Sequence, residues 1–259
     1  MSVRTKAVLL NSAPLRESDL LAIFYTLKLG KVRALAKGAL RSKKRFLGIL
    51  LNLNELEIEL APARGKEIEF RLENADLIRS RLALAGNLEK LACAFALAEL
   101  VEKASPEMEA DPAMFQLLND GMEAVSAQKN HREYFCYFSL KILNRLGYLP
   151  ALDRCASCGE RLEPKTRSLF FSVSHGGFVC QRCARREKHL LPLSAGLSQS
   201  LISMSQAGKT RAGRIRLSEK DWLSVLKLLF KFTAWHLEKP ISSLSFLVSI
   251  RSSLPFTRF

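Results

Sequence analysis

Two Cys-x-x-Cys pairs carry the most specific chemistry in this chain: Cys155-Ala156-Ser157-Cys158, followed by Gly159, and Cys180-Gln181-Arg182-Cys183, with 21 residues between them. Two intervening residues let both sulfurs of a tight turn reach one ion, and two such turns complete a tetrahedron of thiolates. Softness and geometry both favour zinc. Four thiolates leave no open coordination position, so the expected role is one structural Zn2+ held by Cys155, Cys158, Cys180 and Cys183. A segment of about 30 residues buries too little apolar surface to fold alone, and metal binding would supply the missing free energy. The rival is a pair of disulfides, which a reducing compartment disfavours. A thioredoxin-like redox site needs only one pair and a βαβ setting. His175 is expected to be a loop histidine, and Cys93 and Cys136 buried spectators on helical faces.

A second chemistry is electrostatic. Lys28, Lys31, Arg33, Lys37, Arg41, Lys43, Lys44 and Arg45 occur between residues 28 and 45 without one acidic residue. Charges alternating with Val32, Ala34 and Ala36 put cations on one face of a strand, where they can track a phosphate backbone. Arg41 to Arg45 fall on a loop. A further basic segment, Gly208 to Arg216, contains Arg211, Arg214 and Arg216. The expected nucleic-acid contacts are therefore Lys31, Arg33, Lys37, Arg41, Lys43, Lys44 and Arg45, with Arg211, Arg214 and Arg216 as a second group. The competing reading is a solvated basic face. No catalytic set emerges: Gly208-Lys209-Thr210 lacks the upstream glycine of a phosphate loop, since position 203 is serine, and neither HExxH nor Gly-x-Ser-x-Gly occurs. The expectation is a protein without enzymatic turnover.

The whole chain of 259 residues carries a net charge of +15, with an isoelectric point near 9.8. The excess is unevenly placed. Residues 1–80 hold 15 basic and 9 acidic side chains, 81–152 hold 7 and 9, 153–188 hold 8 and 4, and 189–259 hold 10 and 3. Confinement to particular segments suits a binding face for polyanions better than general solubility does. No apolar run is long enough to span a bilayer, and the first residues lack a signal-peptide core. A cytoplasmic location and no membrane partner are the expectations.

These residues need a scaffold. Glu55–Leu60 and Glu67–Leu72 alternate polar and apolar, and Ala61–Gly65 between them reads as a turn, so the two form a hairpin. Val3–Leu10, Leu20–Lys28 and Val32–Lys37 are earlier strands, separated by Asn11–Ser18 and by Leu29-Gly30. Five short strands in about 75 residues suit a small closed barrel, most simply an OB-fold. Apolar steps of three and four then predict helices over Leu82–Lys103 (Leu84, Leu88, Leu91, Phe95, Ala98), Asp111–Val125 and Arg132–Leu146. Leu193–Ser205 reads as helix, and Ser218 or Glu219 starts another that Pro240 stops. The expected class is α+β: an N-terminal barrel over 1–78, a helical bundle over 79–152, an inserted four-cysteine zinc module over 153–188, and C-terminal helices over 189–259 completing the bundle.

Ser18-Asp19-Leu20-Leu21, then Leu29–Ala39 with its basic tail to Phe46, resembles the amino-terminal barrel of bacterial RecO proteins. The order barrel, helices, Leu149-Pro150, Cys-x-x-Cys-Gly, Gly-Gly, Cys-x-x-Cys is similar to the same family, part of which carries these cysteines. The likeness covers nearly the whole chain and is strongest over 18–48 and 147–184. It implies a recombination mediator in DNA repair that binds single- and double-stranded DNA and anneals complementary strands. It also implies action with RecR on strands coated by single-strand-binding protein (SSB), to help load RecA, with RecF involved indirectly. Arg211, Arg214 and Arg216 would hold a second strand or meet the acidic C-terminal tail of SSB. A nucleoid-associated location in a bacterial cytoplasm follows from that role. The alternative is a zinc-ribbon RNA-binding or ribosome-associated factor, which explains charge and cysteines but not residues 18–48. A third is a scaffold that binds only protein partners.

Overall fold

Alternating patterns in the first 80 residues produce five strands that close on themselves. The computed structural model describes residues 2–15, 17–42, 46, 48–63, 68–162, 168–188 and 190–252. Strands β1 (Val3–Pro14), β2 (Leu20–Thr26), β3 (Gly30–Ala36), β4 (Glu55–Pro62) and β5 (Phe70–Arg79) form a closed barrel in the order β1-β2-β3-β5-β4. All pairings are antiparallel except β3 with β5, which is parallel and limited to Ala34–Phe70 and Leu35–Arg71. This is the Greek-key arrangement of an OB-type barrel. Leu9, Phe24, Val32, Leu56, Ile58, Leu60 and Leu72 fill its interior, the every-second-residue faces that the sequence predicts.

The strand ends differ from the sequence expectation. Strand β1 continues through Asn11 to Pro14 with a register shift between Leu9 and Asn11. Beyond Val8 it has no β4 partner, and Pro14, in register with Leu20 of β2, ends the strand, a position where proline is tolerated. Strand β5 begins only at Phe70 and runs on to Arg79. Ala61 and Pro62, expected in the turn, are the last residues of β4, and Arg64, Gly65 and Glu67 lie outside the described residues.

Two compact units divide the chain, Met1–Ser126 and Ala127–Phe259. The first adds to the barrel a 3-10 turn at Leu82–Gly86, helix α1 (Leu88–Ala104) and helix α2 (Pro112–Ala127). Asn87 caps α1 by accepting from the Lys90 N–H, and the Asp111 carboxylate accepts the N–H groups of Ala113 and Met114 at the start of α2. The buried side of α1 runs through Ala92, Cys93, Ala96, Leu97, Leu100 and Val101, whereas Leu88 is exposed. Small alanines let the helix approach closely on a side that large apolar residues alone do not mark.

The second unit holds helix α3 (His131–Arg145), strand β6 (Ser168–Ser172), strand β7 (Gly177–Val179), helix α4 (Gln181–Ala184) and strand β8 (Leu190–Ser194). Helices α5 (Ala195–Gln206), α6 (Lys209–Ala212), α7 (Glu219–His236) and α8 (Ser242–Ser252) follow. The three strands form one sheet in the order β7-β6-β8. Phe135 of α3 meets Trp222 of α7 edge to face at 5.7 Å, and Phe232 of α7 meets Phe171 of β6 at 6.0 Å. The cysteine module is thereby seated on the same helix that closes the α3 core. The segment expected as one helical block over 79–152 is shared, with α1 and α2 in the first unit and α3 in the second.

Candidate metal centre and nucleic-acid interface

Each cysteine pair sits where local backbone geometry folds it inward. The Cys155 N–H donates to the Glu160 carbonyl at 2.8 Å, and the Gly159 N–H returns to the Cys155 carbonyl at 2.8 Å. Gly159 closes this knuckle at φ +75°, a left-handed conformation that glycine adopts at little cost. The second pair lies at the end of β7: Cys180 is the N-cap of α4, and Cys183 lies one turn further along that short helix. Two backbone bonds, Ala156 N–H to Phe178 O at 2.7 Å and Phe178 N–H to Ala151 O at 2.8 Å, lace the first knuckle to β7.

The four sulfurs lie within 4.8 Å of one another, and Cys158 Sγ stands 3.9 Å from Cys180 Sγ. A tetrahedron with metal–sulfur bonds of about 2.3 Å needs sulfur separations of about 3.8 Å, so the quartet can hold a metal ion with little movement. Cys155 is buried and Cys158 exposed, with the other two between. Burial opposes ionisation of Cys155, but the N–H groups of Cys180, Cys158 and Ser157 outweigh it and hold the thiol down at about 6. The Cys183 thiol is pushed up to about 11: a bond from Ser157 lowers it, and the crowd of neighbouring sulfurs outweighs that bond. Arg182 lies 3.9 Å from Cys158 Sγ and 3.1 Å from Glu160, placing positive charge beside a cluster that would carry net negative charge when metallated. His175 pairs instead with Glu187 at 3.2 Å in the β6–β7 turn. Cys136 is fully buried, and burial pushes its thiol up to about 12, as suits an inert core residue.

The basic residues of the barrel are placed more variously. Lys31 and Arg33 point outward from β3, and both have internal partners. Lys31 Nζ donates to the Glu102 carbonyl at 2.7 Å. The Arg33 guanidinium donates to both Glu107 oxygens at 2.8 Å, and its backbone N–H donates to Glu69 at 2.9 Å. Arg41 ends the short 3-10 turn Ala39–Arg41 and meets Glu17 at 3.1 Å on the surface. Lys37 follows β3 directly. Lys43, Lys44 and Arg45 lie outside the described residues. In the second unit, Arg211 and Arg214 line an open depression of about 540 Å3 with Ser203, Thr210 and Ile215. Arg216 donates to the Gly213 and Ile215 carbonyls and borders a different recess, with Lys129 and Arg132. The three arginines therefore belong to two separate recesses. Arg182, Glu69 and Glu107 escape the sequence reading because single charged residues far from their partners carry no pattern.

Residues 1–81 match the family described as Recombination protein O N terminal, and residues 85–245 match Recombination protein O C terminal. The chain belongs to the RecO family. A DNA repair protein RecO from Geobacter metallireducens is 32% identical over 249 residues, covering 96% of this chain and 98% of that protein. Its namesake from Desulfatibacillum aliphaticivorans is 32% identical over 251 residues, with 96% and 97% covered, and one from Anaeromyxobacter sp. is 30% identical with 96% of both. RecO membership places the chain in DNA repair, and the OB-type barrel and cysteine quartet fall within the matched regions. Among the described residues, no helix is long and apolar enough to cross a membrane.

Proposed function

We propose that this chain is a DNA-binding recombination mediator acting without enzymatic turnover. It binds single- and double-stranded DNA, anneals complementary strands, and works with RecR on SSB-coated DNA to help load RecA. The observation that carries the reading is a RecO match along both units, joined to an OB-type barrel whose residues 28–45 are basic without interruption by acid.

The physical sequence begins with phosphate neutralisation. Lys31 and Arg33 on β3, with Lys37 and Arg41 after it, offer cations at the barrel, Lys43, Lys44 and Arg45 follow them in the sequence, and each phosphate these cations engage releases condensed counterions. Lowered backbone repulsion lets a second strand approach and pair. Arg211, Arg214 and Arg216 hold that strand or the acidic C-terminal tail of SSB, while RecF is engaged only indirectly. Cys155, Cys158, Cys180 and Cys183 hold one zinc ion, which when bound cross-links the two knuckles and takes no part in a reaction. Such a role belongs in the bacterial cytoplasm, at the nucleoid. Domain boundaries follow the same plan: a barrel over 1–78 for nucleic acid, helices over 79–152 and 189–259, and the zinc module over 153–188.

Titrating the full chain with a labelled single-stranded oligodeoxynucleotide and with a structured RNA at one salt concentration tests the proposal. Tighter binding to the DNA, with faster pairing of complementary strands, is expected. Preference for the RNA would overturn it in favour of a zinc-ribbon RNA-binding protein.

A further inference from the structure

Strand β3 is paired unequally on its two sides. Strand β2 follows it residue for residue from Gly30 to Ala36, but β5 reaches only Ala34 and Leu35. The other half, Gly30–Arg33, would present an open edge of unpaired backbone groups. The linker between α1 and α2, residues 105–111, lies along that edge. Its Met108 N–H donates to the Lys31 carbonyl at 2.9 Å, and Glu107 bridges to Lys31 in parallel register. The sequence is fitted to this contact. Gly30 has φ +69°, and a Cβ there would stand 1.9 Å from the Glu109 carbonyl oxygen.

The linker, Ser105-Pro106-Glu107-Met108-Glu109-Ala110-Asp111, carries three acids and no base. One of those acids, Glu107, gives both oxygens to Arg33, as a phosphate group would. A covered strand edge needs only backbone bonds. A carboxylate aimed at a cation that faces outward from an OB-type barrel adds something further. Arg33 and Glu107 both keep more than a third of their side-chain surface in water, and ion pairs so exposed contribute little net stability. A polyanion that releases counterions on binding can therefore replace the carboxylate.

We propose that residues 105–111 form an anionic strap occupying a phosphate subsite on the open edge of β3, and that bound DNA displaces it. The inference rests on the nucleic-acid reading above. The strap is tethered at both ends by helices, so its local concentration at Arg33 is high, and it weakens non-specific binding before any partner is present.

Glu107→Gln in the full chain should raise affinity for a short oligodeoxythymidine about threefold to tenfold, and Arg33→Ala in that background should abolish the gain. Glu109→Gln, which makes the same charge change two residues away, should do less. Amide exchange at Met108 of the unaltered protein should quicken when the oligonucleotide binds. A gain that survives Arg33→Ala would be a general charge effect and would overturn the proposal, as would unchanged affinity in a folded Glu107→Gln protein. Unchanged or slower Met108 exchange would do the same without any variant. If the unaltered chain binds no DNA in this titration, the nucleic-acid reading fails first and the strap with it.

Discussion

Thiols gathered within 4.8 Å of one another behave as one chemical object. Ligands must lose their protons to bind metal, so affinity should fall steadily as pH is lowered. Metal analysis should find about one zinc per chain, and Cys155→Ser should lose most of it. Arg182→Ala, which removes the cation beside Cys158, should weaken metal binding by about tenfold, measured by competition with a chromophoric chelator. The metal-free protein offers a separate test. Cys155 is held at about 6, below the usual thiol value of about 8.5, so it contributes stability that is present above the unfolded value and lost as pH falls through the folded one. Cys183, raised to about 11, contributes fully below the unfolded value and changes only above it. Between roughly pH 6 and 8.5, then, the second unit of the chelated protein should gain stability with rising pH. Cys155→Ser should flatten that rise in denaturant melts. At this scale the sequence was informative where spacing repeats: two Cys-x-x-Cys pairs can be read directly. The Arg33–Glu107 pair cannot, because 74 residues separate its members and any acid on the chain was an equal candidate.

Both the barrel strands and the longer helices are legible in the sequence, but by signals of different clarity. A half-buried strand advertises itself by strict alternation, as in Glu55–Leu60, whereas α1 buries alanines on a face its leucines do not mark. Helix α8 carries a weak sequence signal because Ser242, Ser243, Ser245 and Ser249 dilute the pattern around the buried Leu244 and Leu247. Strand β8 contains Pro192, whose missing N–H argues against a strand, and its last residues, Leu193 and Ser194, fall where the sequence predicts helix. The connections between elements carry their own energetics. Asn54 is buried; its side chain accepts from the Arg81 N–H at 3.0 Å and donates to the Ile49 carbonyl at 3.1 Å. Asn54→Ala would leave both backbone groups without those bonds and should cost about 1–3 kcal/mol in equilibrium unfolding. A loss below about 0.5 kcal/mol would mean that water or a rearranged turn satisfies them.

For the molecule as a whole, the +15 charge matters through its placement. Changing Lys37, Arg41, Lys43 and Arg45 together to alanine should weaken single-stranded DNA binding almost equally for all sequences, because phosphate contacts carry no base information. The slope of log affinity against log salt should shrink by about 0.7 for each contact removed. An unchanged slope in a folded variant would move the DNA path to Arg211, Arg214 and Arg216. Chelation should leave binding by the barrel largely intact, since the cysteines belong to the other unit. That division also orders events on the ribosome. Every residue of the first unit has been synthesised by Ser126, so the barrel can fold while the rest of the nascent chain is still being made. The second unit cannot: Phe135 must wait for Trp222, and all of residues 153–188 emerge between them. Metal capture at Cys183 can therefore precede completion of the α3 core, and metal supply during translation would govern how long the α3 aromatics stay exposed to chaperones and to one another.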